Sequence, residues 1–323
     1  KDIEKTAVGD WDGPVISVPA EGFTGGPSFQ SVRAAWKMLK AGRSCTRLMR
    51  ENKPDVLLAM GSYASAGPIM AARRLNVPYV LHEANVLPGR AVSFYSRRAA
   101  AVAASFEETR HYLSRRRLVI TGMPLRRNLQ WSDCHPHLDM PDRHAFTLLA
   151  TGGSRGARRL NEVVSEALCT IKRAGRRIQV LHLAGREDEE YVRSRYEKHG
   201  VPSIVHAFVH DMAPLYAAAD LAICRAGAST CAELAAFAVP ALLVPYPYAA
   251  HDHQTANARA LERSGAADVV AEKDLSVSWL VDYITGSMDN PKRLARISAS
   301  LKSRSQEHAA ERLADLVEEV GQR

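Results

Sequence analysis

Along the chain, short apolar runs rich in leucine and β-branched residues alternate with longer stretches whose apolar positions recur at helical spacing. Runs of this kind, bounded by turn residues, read as buried strands, and their alternation with helices predicts βα units around parallel sheets, an α/β class. In the first half the pattern predicts strands over residues 14–18, 55–60, 78–81, 99–104 and 118–121, separated by helices over 28–51, 67–75, 90–98 and 107–114. Strands resume over 146–150, 179–183, 204–207, 221–224, 241–244 and 267–270, again with helices between, and the C-terminal stretch beyond them reads as wholly helical. Between the halves, Trp131-Ser132-Asp133-Cys134-His135-Pro136-His137, with Pro141 following, carries neither periodicity and predicts a linker over 128–144.

A length of 323 residues fits two domains, each able to bury its own core. The expected organisation is a first domain over 1–127, the linker over 128–144, a second domain over 145–303, and a C-terminal helix over 304–323 packing back on the first domain. A doubly wound sheet usually opens with a strand running into a Gly-rich turn and a helix. Here the chain opens on Lys1-Asp2-Ile3-Glu4-Lys5 and one weak strand, so the first βαβ unit is expected to be missing. With no initiator Met, the chain is expected to start inside a longer reading frame or to have been trimmed.

Composition narrows the partner more than the fold. Charged residues at 24% and hydrophobic residues at 46% are ordinary for a folded domain, and the net charge of +8 favours an anionic partner: nucleic acid, an acidic membrane or a phosphorylated substrate. Basic residues are dispersed among the βα units with no recognition module, which argues against nucleic acid. The five cysteines include no C-x-x-C pair, and their odd number argues against a disulfide framework or zinc site, which suits a reducing cytoplasm. No apolar run reaches the ~18 to 20 residues needed to span a bilayer.

Candidate chemistry lies in the second half. Phe146-Thr147-Leu148-Leu149-Ala150-Thr151 runs into Gly152-Gly153-Ser154-Arg155-Gly156, with a helix able to start near Gly156. Such a turn aims backbone N–H groups and a helix dipole at an anion, although glycines also serve plain βα turns. Leu221-Ala222-Ile223-Cys224 repeats the arrangement with Arg225-Ala226-Gly227-Ala228-Ser229-Thr230, where Ser229 and Thr230 can cap a second helix. Glu233, about one turn into that helix, suits a pair of ribose hydroxyls or, alternatively, a capping or dipole role. The loop Tyr246-Pro247-Tyr248-Ala249-Ala250-His251-Asp252-His253-Gln254 sits beyond a strand end, where ligands bind in open α/β sheets; Asp252 and Gln254 suit sugar hydroxyls better than the His-Asp-His triplet suits a metal.

Taken together, these segments resemble the donor half of the MurG family, the peptidoglycan N-acetylglucosaminyltransferases. The resemblance extends through Val209-His210-Asp211-Met212 and Ser264-Gly265-Ala266-Ala267, and back through Lys53-Pro54-Asp55-Val56, Gly61-Ser62-Tyr63-Ala64-Ser65, His82-Glu83-Ala84-Asn85 and Thr121-Gly122-Met123-Pro124-Leu125-Arg126. It implies a GT-B-type α/β fold, two Rossmann-like domains whose parallel sheets face an interdomain cleft. It also implies inverting transfer of GlcNAc from UDP-GlcNAc to lipid I, an undecaprenyl-diphosphate-linked MurNAc-pentapeptide. By position, Ser154, Ser229 and Thr230 would meet the diphosphate within a donor segment Ala228, Ser229, Thr230, Cys231, Ala232 and Glu233. Glu233 would take the ribose, Val209 and Met212 the base and Gln254 the sugar, while Asn85 and Arg126 reach in from the first domain. His82 is the candidate general base, Glu83 its substitute, and no cofactor or essential protein-bound metal is implied. Nothing matches the Gly-rich, His-containing loop with which family members begin, and Ser62 stands where a Gly is common. The alternative is a sugar-nucleotide-binding protein, or a partial enzyme inactive without that segment.

Phe29, Val32, Trp36 and Leu39 recur at near-helical spacing with Arg33, Lys37, Lys40 and Arg43 interleaved. Either this helix packs into a core, or it offers a basic amphipathic face to an anionic membrane, with Arg90, Phe94, Tyr95, Arg97 and Arg98 as a second part. The expected location is the cytoplasmic face of the bacterial cell membrane, held peripherally.

Overall fold

The computed structural model describes residues 13–17, 29–113, 117–129, 138–142, 144–153 and 157–322, with backbone alone for 29–35 and 128. The contacts define two compact units: Lys1–His82, Arg90–Val102 and Leu316–Arg323 in one, Glu83–Gly89 and Ala103–Asp315 in the other. Residues 103–127, expected with the first domain, therefore cluster with the second unit. The expected linker lies largely outside the described residues; at its end, Asp142 is paired to Arg177 through two hydrogen bonds of 2.6 and 2.7 Å.

Helix α1 (Phe29–Asn52) leads into β1 (Leu57–Ala59), α2 (Ala66–Arg74), β2 (Tyr79–Glu83), α3 (Arg90–Tyr95), β3 (Ala101–Ala104) and β4 (Leu118–Ile120). The strands form a four-stranded sheet in the order β1-β2-β3-β4, with β1 parallel to β2 and Leu57 opposite Tyr79. The strand expected over 14–18 is absent from the described part of that range: residues 14–17 are irregular, and Val15 and Ile16 are exposed. β-branched content makes a strand only where a neighbour buries it. The helix expected over 107–114 is a short 3₁₀ turn, Glu107–His111.

Helix α1 meets α2 along a seam of small residues. Ala41 and Cys45 are buried, and a Cβ placed on Gly67 would stand 3.0 Å from the Ala41 Cβ, so the two backbones approach closely. Trp36 and Leu39, by contrast, are exposed. The core-packing alternative therefore applies to the Ala41/Cys45 face and not to Trp36 and Leu39.

The second sheet contains β5 (Phe146–Thr151), β6 (Ile178–Leu183), β7 (Ser203–His206), β8 (Leu221–Cys224), β9 (Ala241–Leu243) and β10 (Asp268–Val269), in the order β10-β9-β8-β5-β6-β7 and parallel throughout. Helices α4 (Arg158–Arg173), α5 (Glu189–Lys198), α6 (Ala213–Ala218), α7 (Ala228–Phe237), α8 (His253–Arg263), α9 (Val277–Met288), α10 (Pro291–Arg304) and α11 (Ala309–Gly321) complete the chain. Because side chains alternate along a strand, the core divides into two clusters. Leu148, Val180, Ile223 and Leu242 pack with α4 residues such as Leu160 and Leu168. Leu149, Leu181, Ala222 and Leu243 pack with Leu234 and Phe237 of α7. Thus α4 and α7 cover opposite faces although they follow adjacent strands, which makes the β5/β8 boundary the point where the winding reverses. Ligands of doubly wound sheets bind outside the carboxyl ends of the strands at that point.

Candidate functional site

Both glycine turns emerge at this reversal. Strand β5 delivers Gly152 and Gly153; Gly153 has a φ of +83° with nothing near a hypothetical Cβ, and its N–H donates to Thr151 Oγ1 at 3.3 Å. Ser154, Arg155 and Gly156 lie outside the described residues. Helix α4 begins at Arg158, slightly later than the sequence suggests, with Ala157 as its N-cap and no side-chain cap.

A buried polar relay fixes this helix against β6. Asn161 donates through Nδ2 to the Ala184 carbonyl at 2.8 Å and to Asp188 Oδ2 at 2.9 Å, while its Oδ1 lies 3.1 Å from His182 Nε2. His182 Nδ1 lies 2.8 Å from the Tyr196 hydroxyl. Burial pushes the His182 pKa down to about 3, so the ring is neutral. Since Asn161 Oδ1 can only accept, His182 carries its proton on Nε2, and Tyr196 donates to Nδ1.

After β8, Gly227 is the N-cap of α7, with extended φ and ψ of −64° and 147° and no side-chain cap. Ser229 and Thr230 therefore do not cap the helix as expected. They already lie in its first turn, whereas a capping side chain must fold back from an extended residue outside it. The first intrahelical bond at this end runs from the Cys231 N–H to the Gly227 carbonyl at 2.9 Å, so the N–H groups of Ala228, Ser229 and Thr230 lie ahead of the ladder. That is the geometry of an anion-binding helix end.

Arg225, at the start of the same motif, ties neighbouring strands together. It is 8% exposed, donates to the Val244 and Pro245 carbonyls at 3.1 and 3.3 Å, pairs with Glu272 and lies over the Tyr246 ring at 5.4 Å. It fastens the ends of β8 and β9 together.

Glu233 is half-buried, and its Oε2 accepts a 2.8 Å hydrogen bond from Tyr216 on α6. Burial raises its pKa above the ordinary carboxylate range, opposed by the Tyr216 bond and then by the charge of Arg126. Arg126 is exposed, and its charge is the smaller of the two opposing causes. Ala228, Cys231 and Ala232 line a cavity of about 60 Å³, shared with Ser105, Met123 and Arg304. The Cys231 thiol, buried, is pushed up to about 12.

The β9–α8 loop turns through two consecutive left-handed residues, His251 and Asp252, with φ of 54° and 56°. Gln254 follows in the first turn of α8. Its Oε1 accepts from the Ala226 and Tyr246 N–H groups at 3.3 and 2.9 Å, which fixes the amide so that Nε2 faces away as a donor. Val209 and Met212 are half-buried against the α7-side core, with Met212 at the N-cap of α6. The Ala213 N–H donates to Asp211 Oδ1 at 3.2 Å, closing this turn.

The His82-Glu83-Ala84-Asn85 segment folds into a loop around Glu83. One carboxylate oxygen accepts from the Asn85 N–H and the other from the Gly89 N–H, each at 2.9 Å. Burial raises the Glu83 pKa, these bonds oppose it, and the charge of His253 adds to the opposition. His82 is 1% exposed at the end of β2. A side chain the sequence did not single out organises the loop: Asn257, on α8, is fully buried and bonds to Val86, Asn85 and Ala226. The available signal was an Asn inside an otherwise apolar helix face, alongside Ala258 and Leu261.

The profile described as "Glycosyltransferase family 28 C-terminal domain" matches residues 147–317, and that described as "Glycosyltransferase family 28 N-terminal domain" matches residues 3–104. The chain is 40% identical over 283 residues to the UDP-N-acetylglucosamine--N-acetylmuramyl-(pentapeptide) pyrophosphoryl-undecaprenol N-acetylglucosamine transferase of Syntrophotalea carbinolica, covering 87% of this chain and 75% of that relative. It is 36% identical over 298 residues to the protein of the same name from Geobacter sulfurreducens, covering 92% and 82%. Among solved structures, the MurG of Acinetobacter baumannii superposes with a TM-score of 0.78 at 28% identity, over 98% of this chain and 88% of that one. The UDP-GlcNAc 2-epimerase of Neisseria meningitidis, at 12% identity and a TM-score of 0.62 over 92% and 83%, shares the fold alone. The fold is of the expected GT-B type, and the chain belongs to glycosyltransferase family 28 and, within it, to the MurG family.

Proposed function

We propose that this protein is an inverting N-acetylglucosaminyltransferase that moves GlcNAc from UDP-GlcNAc to the hydroxyl of a lipid-diphosphate-linked MurNAc-pentapeptide in peptidoglycan synthesis. The observation that carries the reading, within a MurG-family sequence, is the junction of the uncapped α7 N-terminus with a Glu233 carboxylate aligned by Tyr216. A helix end suits a diphosphate, and a carboxylate in the following turn suits two ribose hydroxyls.

In this reading the N–H groups of Ala228, Ser229 and Thr230, together with Ser154, hold the diphosphate. Glu233 takes the ribose, Val209 and Met212 flank the base, and Gln254 Nε2 donates to the sugar beside Asn85. The acceptor oxygen attacks the anomeric carbon as its bond to the diphosphate oxygen breaks; UDP leaves with the electron pair, and the acceptor proton passes to a base. Charge building on the leaving diphosphate meets the α7 dipole and Arg126, a stabilisation in place before reaction. These groups do the work that a metal does in other transferases, so no essential protein-bound metal is required.

The acceptor is lipid-linked, and one unit offers a surface for the anionic membrane carrying it. Trp36 and Phe94 are 62% and 66% exposed, Lys40 lies over the Trp36 ring at 5.6 Å, and Arg43, Arg90, Arg97 and Arg98 are exposed. Aromatic side chains among cations suit a bilayer interface. Among the described residues no helix is long and apolar enough to cross a membrane. We place the protein peripherally on the cytoplasmic leaflet.

The deciding experiment measures UDP release with lipid I and, separately, with diacylglycerol, alongside calorimetry with UDP-GlcNAc. Turnover with lipid I is expected. Release with diacylglycerol alone would overturn the acceptor, and donor binding without turnover would make the chain a binding protein.

A further inference from the structure

We propose that Asn257 is a positioning residue for catalysis: it sets which end of the Asn85 amide faces the donor sugar and ties the 83–89 loop to the start of α7. The inference rests on the reading that Asn85 contacts the donor.

Asn257 is 0% exposed and lies one turn after Gln254 on α8. Its Oδ1 accepts from the Val86 N–H at 3.0 Å, and its Nδ2 donates to Asn85 Oδ1 at 3.0 Å and to the Ala226 carbonyl at 3.2 Å. A backbone N–H can only donate and a carbonyl can only accept, so Val86 and Ala226 together dictate which end of the Asn257 amide is which. Nδ2 must then point at Asn85, and Asn85 must answer with its oxygen. On its other side, the Asn85 Nδ2 lies 3.4 Å from Glu83 Oε1, again an acceptor. Both contacts demand the same orientation. One amide hydrogen of Asn85 remains to donate to a sugar oxygen.

The position of Asn257 couples two sugar-facing groups. Ala226, whose carbonyl it holds, gives its N–H to Gln254 Oε1 at 3.3 Å. Asn85 and Gln254 are thus oriented from successive turns of one helix through the same backbone unit. Both amides consequently present donors.

The test is a double-mutant cycle read as kcat/KM for GlcNAc transfer: Asn85→Ala, Asn257→Ala and the pair, with calorimetry of UDP alone and thermal melts on each. Each single change is expected to lower kcat/KM by at least about tenfold, with the double no more than about threefold below the weaker single. UDP, which lacks the sugar, should bind each variant within about threefold of wild type. Asn257→Asp, nearly isosteric, guards against a folding failure of the alanine variant. Its carboxylate can still accept from Val86 but cannot donate to Asn85 Oδ1, so the Asn85 amide loses the donor that fixes it and the loss of kcat/KM should persist. If losses multiply in the double variant, or Asn257→Asp lowers the melting temperature while leaving kcat/KM unchanged, Asn257 is a packing residue and the inference fails. An Asn85→Ala variant with wild-type kcat/KM would instead sink the donor-contact reading beneath it.

Discussion

The Tyr216 hydroxyl donates to Glu233 Oε2 at 2.8 Å, so a buried phenol on α6 aligns the carboxylate expected to take the ribose. Burial is the main cause that raises the Glu233 pKa, and the Tyr216 bond pulls the other way. The ionised form is the one that accepts two ribose hydroxyls. UDP affinity should therefore fall with decreasing pH earlier than an ordinary carboxylate would allow. Tyr216→Phe should move that fall to higher pH and weaken UDP binding at neutral pH by about tenfold, the worth of one hydrogen bond to a charged group. Calorimetry across pH checks both shifts; the same titration surviving in Glu233→Gln would assign it elsewhere.

Arg126 should matter more to kcat than to donor binding, because its charge is most useful when the diphosphate departs. Arg126→Ala is expected to lower kcat about a hundredfold while changing UDP-GlcNAc affinity by less than about fivefold. Turnover should survive excess chelator. Abolition by chelator with recovery on adding a divalent cation would show that a metal, and not this arginine and α7, carries the leaving charge.

Membrane capture should depend on the exposed aromatics of the first unit. Trp36→Glu or Phe94→Glu should each weaken co-sedimentation with anionic vesicles by about tenfold or more. Turnover of a short-chain soluble acceptor should be unaffected. Equal losses with the soluble acceptor would mean that these positions serve the site or the fold.

The buried His182 relay makes an acid-stability prediction. Its folded pKa of about 3 lies below the ordinary histidine value, so the unfolded chain takes up a proton that the folded chain refuses. The stabilisation is complete above the ordinary histidine pKa and is lost as pH falls from there toward about 3. Thermal melts should decline over that window by more in wild type than in His182→Gln. Parallel declines would place the acid sensitivity in other groups.

Much of the second sheet was legible because a strand buried on both faces is mostly apolar along its length, and its few polar members, such as His182 and Gln179, are hydrogen-bonded. Residues 221–224 could be placed from the sequence to the residue, and 146–150 and 179–183 to within one. In the 14–18 segment, similarly β-branched, the described residues 14–17 are irregular and Val15 and Ile16 are exposed. Ser229 and Thr230 are residue types that cap helices, but the extended backbone that selects the cap belongs to Gly227. Arg225, legible only as part of its motif, is engaged by Glu272 and two carbonyls, partners that lie 19 to 47 positions away. For Asn257 the sequence offered only a polar residue on an apolar helix face; its partners Val86 and Asn85 are 171 and 172 positions away, and local spacing carries no trace of them.

The reversal of winding between β5 and β8 also divides recognition into separable parts. In the proposed reading, uridine and diphosphate fall to the β5, β8 and α6 ends, whereas the sugar falls to Gln254, at the end of the loop beyond β9, and to Asn85. Anchored at both ends by Arg225 and Gln254, that loop could be rewritten around His251 and Asp252 without disturbing the nucleotide contacts. Within that reading, donor-sugar preference can be altered at this loop apart from the nucleotide contacts.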